Sequence, residues 1–223
     1  MIPVRDDNPV RSIPVVTTGL ILVSMAVYLW QISLPPEAKH AAITLLGFIP
    51  ALLFGHASIN GDIWVSPGGS IFTAMFVHGD FLHLAANMVF LWIFGDNVED
   101  RVGPGRFAAF YLICGAIAAL AQALPDMRST VPMIGASGAV SGVLGAYLML
   151  YPRANVLVVV PFKVVRVPAL IMLALWFAGQ LLSSLAGEPG AGGIAFLPHV
   201  AAFLGGVLLI RWFLRERRQE RAR

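Results

Sequence analysis

The stretch Ile134 to Tyr147 reads IGASGAVSGVLGAY. Ser137 lies there between Gly135 and Gly138, and small residues recur every three or four positions after it. Pro132 and Gly135 disfavour helix before the serine, so a helix is expected from Ser137 to Tyr151. Fifteen residues at about 1.5 Å each span roughly 22 Å. That is short of the ~30 Å hydrocarbon thickness of a bilayer. A membrane helix of this length begins below the surface. Its preceding loop must dip inward, which is tolerated where the loop is buried or lines a wet cavity.

Composition supports a lipid solvent. Of 223 residues, 58% are hydrophobic and 12% charged, with mean hydropathy +0.80. Soluble domains carry about 25% charged residues. Six apolar segments stand near 14–34, 80–96, 106–124, 136–151, 168–186 and 195–214. The second and fourth read as short. Prolines and glycines punctuate the connections, including GEPGAGG at 187–193. The expected fold class is all-α, a polytopic membrane protein of one domain over 1–223. Residues 1–13 form a tail, 35–79 a long outer loop, and 215–223 a basic tail.

Basic residues set the orientation. Arg5, Arg11, Arg101, Arg106, Arg153, Lys163, Arg166 and the C-terminal arginines from Arg211 onward fall on one side of a six-span chain, thirteen in all. Only Lys39 and Arg128 fall on the other. By the positive-inside rule both termini are cytoplasmic. The pI near 9.4 then reflects topology anchoring beside anionic lipid, not a nucleic-acid site. Neither a cleavable leader pattern nor an Arg- and Ser-rich presequence stands at the start, so a bacterial plasma membrane is expected. The single cysteine, Cys114, can form no intrachain disulfide.

Polar groups inside apolar segments are costly and by default functional. His83 and Asn87 lie in the second segment, Ser137 at the start of the fourth and His199 near the start of the sixth. All three segments begin on the outer side, so the four residues share one depth. His83 and Asn87, four apart, share a helix face. A helix beginning at Ser137 offers free backbone N–H groups. Gly138, Gly142 and Gly145 allow close approach on segment four, and Ala202 and Gly206 lie on the face of His199. If these stripes meet, His199 reaches Ser137. A serine hydroxyl is a weak nucleophile until a base takes its proton, and histidine is the usual base. All twelve carboxylates lie in loops, tails or segment ends, so a Ser–His dyad fits better than a triad.

Taken singly, Ser137 reads more often as a packing serine and Asn87 as interhelical glue. Their shared depth reverses that. The acidic run FGDNVEDRVG reads as a helix end at the cytoplasmic surface, far from Ser137. His78 and His83, five apart, suit no metal site and HExxH is absent. Trp30, Trp92, Trp176 and Trp212 read as interfacial or packing residues.

At these residues the chain resembles the rhomboid family of intramembrane serine proteases. The matching motifs are GASG around Ser137, HGDFLHLAAN containing His78, His83 and Asn87, FLWIFGDNVEDRVG, and PHVAAFLGG from Pro198, over roughly 60–210. The resemblance implies a six-helix bundle with a short fourth helix starting inside the membrane. It implies Ser137 as nucleophile and His199 as base. It implies an oxyanion site of His83, Asn87 and the Ser137 N–H, with Gly135 shaping the loop beside them. His78 would be structural or water-organising. The substrates would be transmembrane segments of other proteins, cut near the outer face without metal or organic cofactor. Two departures stand out. Gly69-Ser70 occupies the place of a frequent Trp-Arg pair, and Ser141 stands where some members carry a tyrosine against the base. Two other readings compete: a catalytically silent relative that binds membrane clients, and a small-molecule transporter. The latter would usually show midplane charges or inverted repeats, and neither is seen.

Overall fold

The computed structural model describes residues 2–58, 64–161, 163–186 and 196–220. The chain opens with strand β1 (Ile2–Asp6) and helix α1 (Val15–Ser33). The long connection folds into α2 (Pro36–Leu46), α3 (Pro50–Leu53), α4 (Pro67–Thr73) and a 3-10 turn at Ala74–Phe76. Then come α5 (Phe81–Val102), α6 (Pro104–Ala123) and α7 (Ser137–Leu150). Strands β2 (Asn155–Val160) and β3 (Lys163–Pro168) lead into α8 (Ala169–Ala186), and α9 (Phe196–Glu220) follows.

α1, α5, α6 and the Phe196–Leu214 part of α9 are long and apolar enough to cross a bilayer. α7 and Ala169–Gly179 of α8 are shorter apolar helices that complete the six. Their outward side chains, such as Leu22, Leu29, Leu82, Leu182 and Leu208, are exposed in the isolated chain. Such surface is stable only in lipid, and the molecule is an integral membrane protein. The second segment is not short: α5 has 22 residues and continues to Val102. Its end is set by Gly103 at φ 88°, a conformation glycine adopts without a Cβ penalty, and Pro104 then opens α6. GEPGAGG at 187–193, residues 221–223 and the side chains of 215–220 lie outside what is described.

α7 is the central post. Every residue from Gly138 to Tyr147 is buried, among α5, α6 and α9. Between lipid-bathed helices the attraction is close van der Waals packing, so small residues decide the spacing. A Cβ on Gly145 would run into the Phe203 carbonyl, and one on Gly206 into the Gly142 carbonyl. α7 and α9 therefore meet backbone to backbone. Gly138 serves a different neighbour: a Cβ there would strike Ala118 of α6, not α9. α8 is lightly embedded; among its described side chains Ala169, Met172 and Leu173 are the buried ones.

At the end of the bundle away from Ser137 lies a three-stranded antiparallel sheet, ordered β1-β2-β3. The mostly helical reading holds, but the sheet recruits residues expected in a tail and a connection. Val156 and Val158 bury its inner face on the core. Asp6 is buried there, and its Oδ2 accepts from Tyr147 Oη (2.7 Å), Asn8 Nδ2 (2.8 Å) and Asn97 Nδ2 (2.9 Å). A buried carboxylate needs such donors. They tie the first strand to the far end of α7.

The acidic run closing α5 also differs from its surface reading. Glu99 is buried. Its carboxylate accepts from the backbone N–H of Val16 (2.9 Å) and Thr17 (2.7 Å) and from the Thr17 hydroxyl (2.8 Å). α1 has no local side-chain cap. Glu99 supplies one from another helix, satisfying donors that would otherwise be orphaned.

Candidate active site

Ser137 is the first residue of α7, so its N–H is among those lacking an intrahelical partner. Gly135 sits at φ 108°, a turn that no other residue makes easily. A Cβ on Gly135 would stand 2.6 Å from His83 Nε2, so the imidazole lies directly over this glycine.

The loop before Ser137 is held from three sides. Met133 and Phe48 exchange backbone hydrogen bonds of 2.8 and 2.9 Å. Gly135 N–H donates to the Ala74 carbonyl at 2.9 Å. Ala136 N–H donates to His78 Nε2 at 3.4 Å, while His78 Nδ1 lies 3.2 Å from the Phe76 carbonyl. One neutral tautomer satisfies both contacts: Nδ1–H donates and Nε2 accepts. Burial lowers the His78 pKa to about 4, with the neighbouring His83 acting in the same direction. His78 is itself gripped by α1. Gln31 is fully buried; its Nε2 donates to the His78 carbonyl (3.3 Å) and its Oε1 accepts from the His78 N–H (3.2 Å).

His199 follows Pro198 in the first turn of α9. Its Nε2 lies 2.8 Å from Ser137 Oγ. Ser137 can donate its hydroxyl proton to that nitrogen, which places the imidazole proton on Nδ1. His199 Nδ1 is buried and has no hydrogen-bond partner among the described residues. The two side chains open onto a cavity of about 380 Å³. His83 and Asn87 of α5 line it, with Ala86, Phe90, Val140, Trp176 and the rim residue Asp80. Asp80 caps α5 by accepting from His83 N–H at 2.9 Å. Asn87 Nδ2 gives one hydrogen to the His83 carbonyl at 2.9 Å and has a second to offer.

The structure thus brings together Ser137, His199, His83, Asn87 and Gly135, with His78 one layer behind. Ala202 is buried beside Gly142, and Gly206 sets the α7–α9 approach. Gly69 and Ser70 fall in α4, away from the cavity lining. Two contributors escape sequence reasoning. One is Trp176 of α8, whose ring lies 5.8 Å from that of His199 and 5.9 Å from Phe90; it is a packing residue, as one of the two expectations had it, but its partner is the His199 imidazole. Ser141, by contrast, is buried and donates to the Ser137 carbonyl at 2.7 Å. The other is Gln31, an amide inside an apolar segment, which the rule that flags His83 and Asn87 would also flag. Among the described residues no group of three or more His, Cys, Asp or Glu forms a metal-binding cluster.

The family model for the Rhomboid domain matches residues 62–216. Rhomboid protein 1, mitochondrial, of Saccharomyces cerevisiae is 33% identical over 147 residues, 64% of this chain and 35% of that protein. The human Presenilin-associated rhomboid-like protein, mitochondrial, is 27% identical over 203 residues, 88% of this chain and 47% of its own length. Rhomboid protease GluP of Bacillus subtilis is 37% identical over 89 residues, 40% of this chain and 16% of that protein. The chain spans less than half the length of each of these relatives. The matched segment runs from the outer connection into α9 and includes every residue that lines the cavity. With six apolar helices, among them the short, buried α7, this chain belongs to the rhomboid family.

Proposed function

We propose that the protein is an intramembrane serine endopeptidase acting on transmembrane segments of other proteins. The observation that carries this reading is the 2.8 Å contact between Ser137 Oγ and His199 Nε2 at the wall of a cavity. His199 takes the hydroxyl proton as Ser137 Oγ attacks the substrate carbonyl. The developing oxyanion is met by the Ser137 N–H, the free hydrogen of Asn87 Nδ2 and the His83 ring. His199 then protonates the leaving amine, the C–N bond breaks, and an acyl-enzyme remains on Ser137. Water, activated by the same imidazole, releases the acid and restores the hydroxyl. No step calls for a metal or organic cofactor.

The charge asymmetry supports an orientation with the sheet and both termini in the cytoplasm and the cavity at the outer face. A bacterial plasma membrane is the proposed setting. A fluorophosphonate probe tests the chemistry without a known substrate. It is expected to label Ser137 covalently in the wild type and to leave Ser137→Ala and His199→Ala unlabelled. Failure to label the folded wild type would favour a silent, client-binding relative.

A further inference from the structure

The cytoplasmic sheet has two unlike faces. Its inner face is spent on the core: Val156 and Val158 are buried, and Val165 and Val167 pack against the same cluster. The outer face follows from the register. Arg5 pairs with Leu157, which pairs with Arg166, giving one row across all three strands. Ile2, Val159 and Val164 form the next row. Val159 is 41% exposed and Val164 60%, while Arg5 and Arg166 are exposed; Lys163, opposite Val160, has the inner-face parity and is not part of this face. The nearby exposed acid is Asp7, held by Asn155 through its backbone N–H (3.0 Å) and Nδ2 (3.1 Å).

We infer that this outer face docks on the anionic headgroup layer of the bilayer. The depth is fixed by chain geometry. β3 ends at Pro168 and α8 begins at Ala169, with the Ala169 N–H on the Ala154 carbonyl at 2.9 Å. Leu170 and Ile171, both at least half exposed, already require lipid. The sheet therefore stands at the headgroup boundary. An aliphatic row beside a cationic row matches that boundary in both respects. Val159 and Val164 meet the glycerol and upper acyl region, and the Arg5 and Arg166 forks meet lipid phosphate. Among the described side chains of this face two arginines outnumber the one acid, so anionic lipid is favoured over zwitterionic lipid.

The test uses full-length protein bearing Val164→Cys, labelled with an environment-sensitive thiol dye; Cys114 is fully buried and stays unlabelled. The protein is reconstituted in phosphatidylcholine vesicles with and without phosphatidylglycerol, and quenching by brominated lipid is measured. Docking predicts blue-shifted emission and at least twofold stronger quenching with phosphatidylglycerol, an increase that Arg5→Gln with Arg166→Gln removes. Ser137→Ala is expected to keep it, so the result stands apart from proteolysis. Water-like emission in both vesicles, or quenching indifferent to the anionic lipid and to the arginines, would overturn the inference. Dye self-quenching that rises with protein density would overturn it in favour of a second copy on this face.

Discussion

The indole of Trp176 lies 5.8 Å from the imidazole of His199, tilted by 45°, so the aromatic neighbour of the proposed base comes from α8. Position 141, one turn after Ser137, holds a serine bonded back to the Ser137 carbonyl. An aromatic pair contributes about 0.5–1.5 kcal/mol beyond area burial. Trp176→Ala is therefore expected to lower kcat roughly 2- to 12-fold. Trp176→Phe should recover most of the loss. The check is kcat and KM on one substrate; a change confined to KM would place Trp176 in substrate binding alone.

His78 predicts a pH dependence of stability. Its pKa is lowered from 6.5 to about 4 in the folded protein, mainly by burial. The unfolded chain takes up the proton first as pH falls. The stabilisation is present above pH 6.5 and is lost as pH drops from there towards 4. Protonation also turns Nε2 from acceptor to donor and breaks its contact with Ala136 N–H. Unfolding midpoints in detergent should fall across this window, and His78→Asn should show a shallower fall. Equal slopes for the two proteins would contradict the assignment.

Gly206→Ala is expected to destabilise the protein by about 1–3 kcal/mol, because the new methyl meets the Gly142 backbone and neither helix can yield cheaply. Gly19→Ala is the control: a Cβ there meets nothing within 4 Å. It should be neutral or mildly stabilising. Denaturant titration of the two variants side by side separates close helix approach from a general intolerance of alanine.

Glu99→Ala removes three acceptor contacts from the start of α1. Hydrogen bonds to charged groups contribute about 1.5–3 kcal/mol each where buried, so a loss of at least ~2 kcal/mol is expected. Because Gln31 of the same helix grips His78, activity should fall along with stability. Proteolytic susceptibility of the α1 N-terminus, measured against wild type, checks the cap directly.

Much of this arrangement was legible in the sequence. Six apolar segments are hard to hide when lipid is the solvent, and the short run after Ser137 matches the 14-residue α7. His199, Ala202 and Gly206 share a face by spacing alone, and so do His83 and Asn87. Trp176 was not legible. α8 is apolar nearly all round, so its pattern fixes no face towards His199. The sheet is hidden for another reason: Ile2 and Val159 are partners far apart in sequence, and short strands carry little local signal beyond the alternation in Val156–Val160. Gln31 was readable by the cost of a buried amide, yet its partner is a backbone whose position depends on tertiary folding.

The proposed proteolysis depends on Ser137 acting through His199. Purified wild type and Ser137→Ala, both reconstituted in proteoliposomes, should be compared on one model transmembrane substrate with a small residue near the outer face. The expected result is cleavage by the wild type within the membrane segment and none above background by Ser137→Ala, with equal thermal stability of the two. Undiminished cleavage by Ser137→Ala would contradict the account.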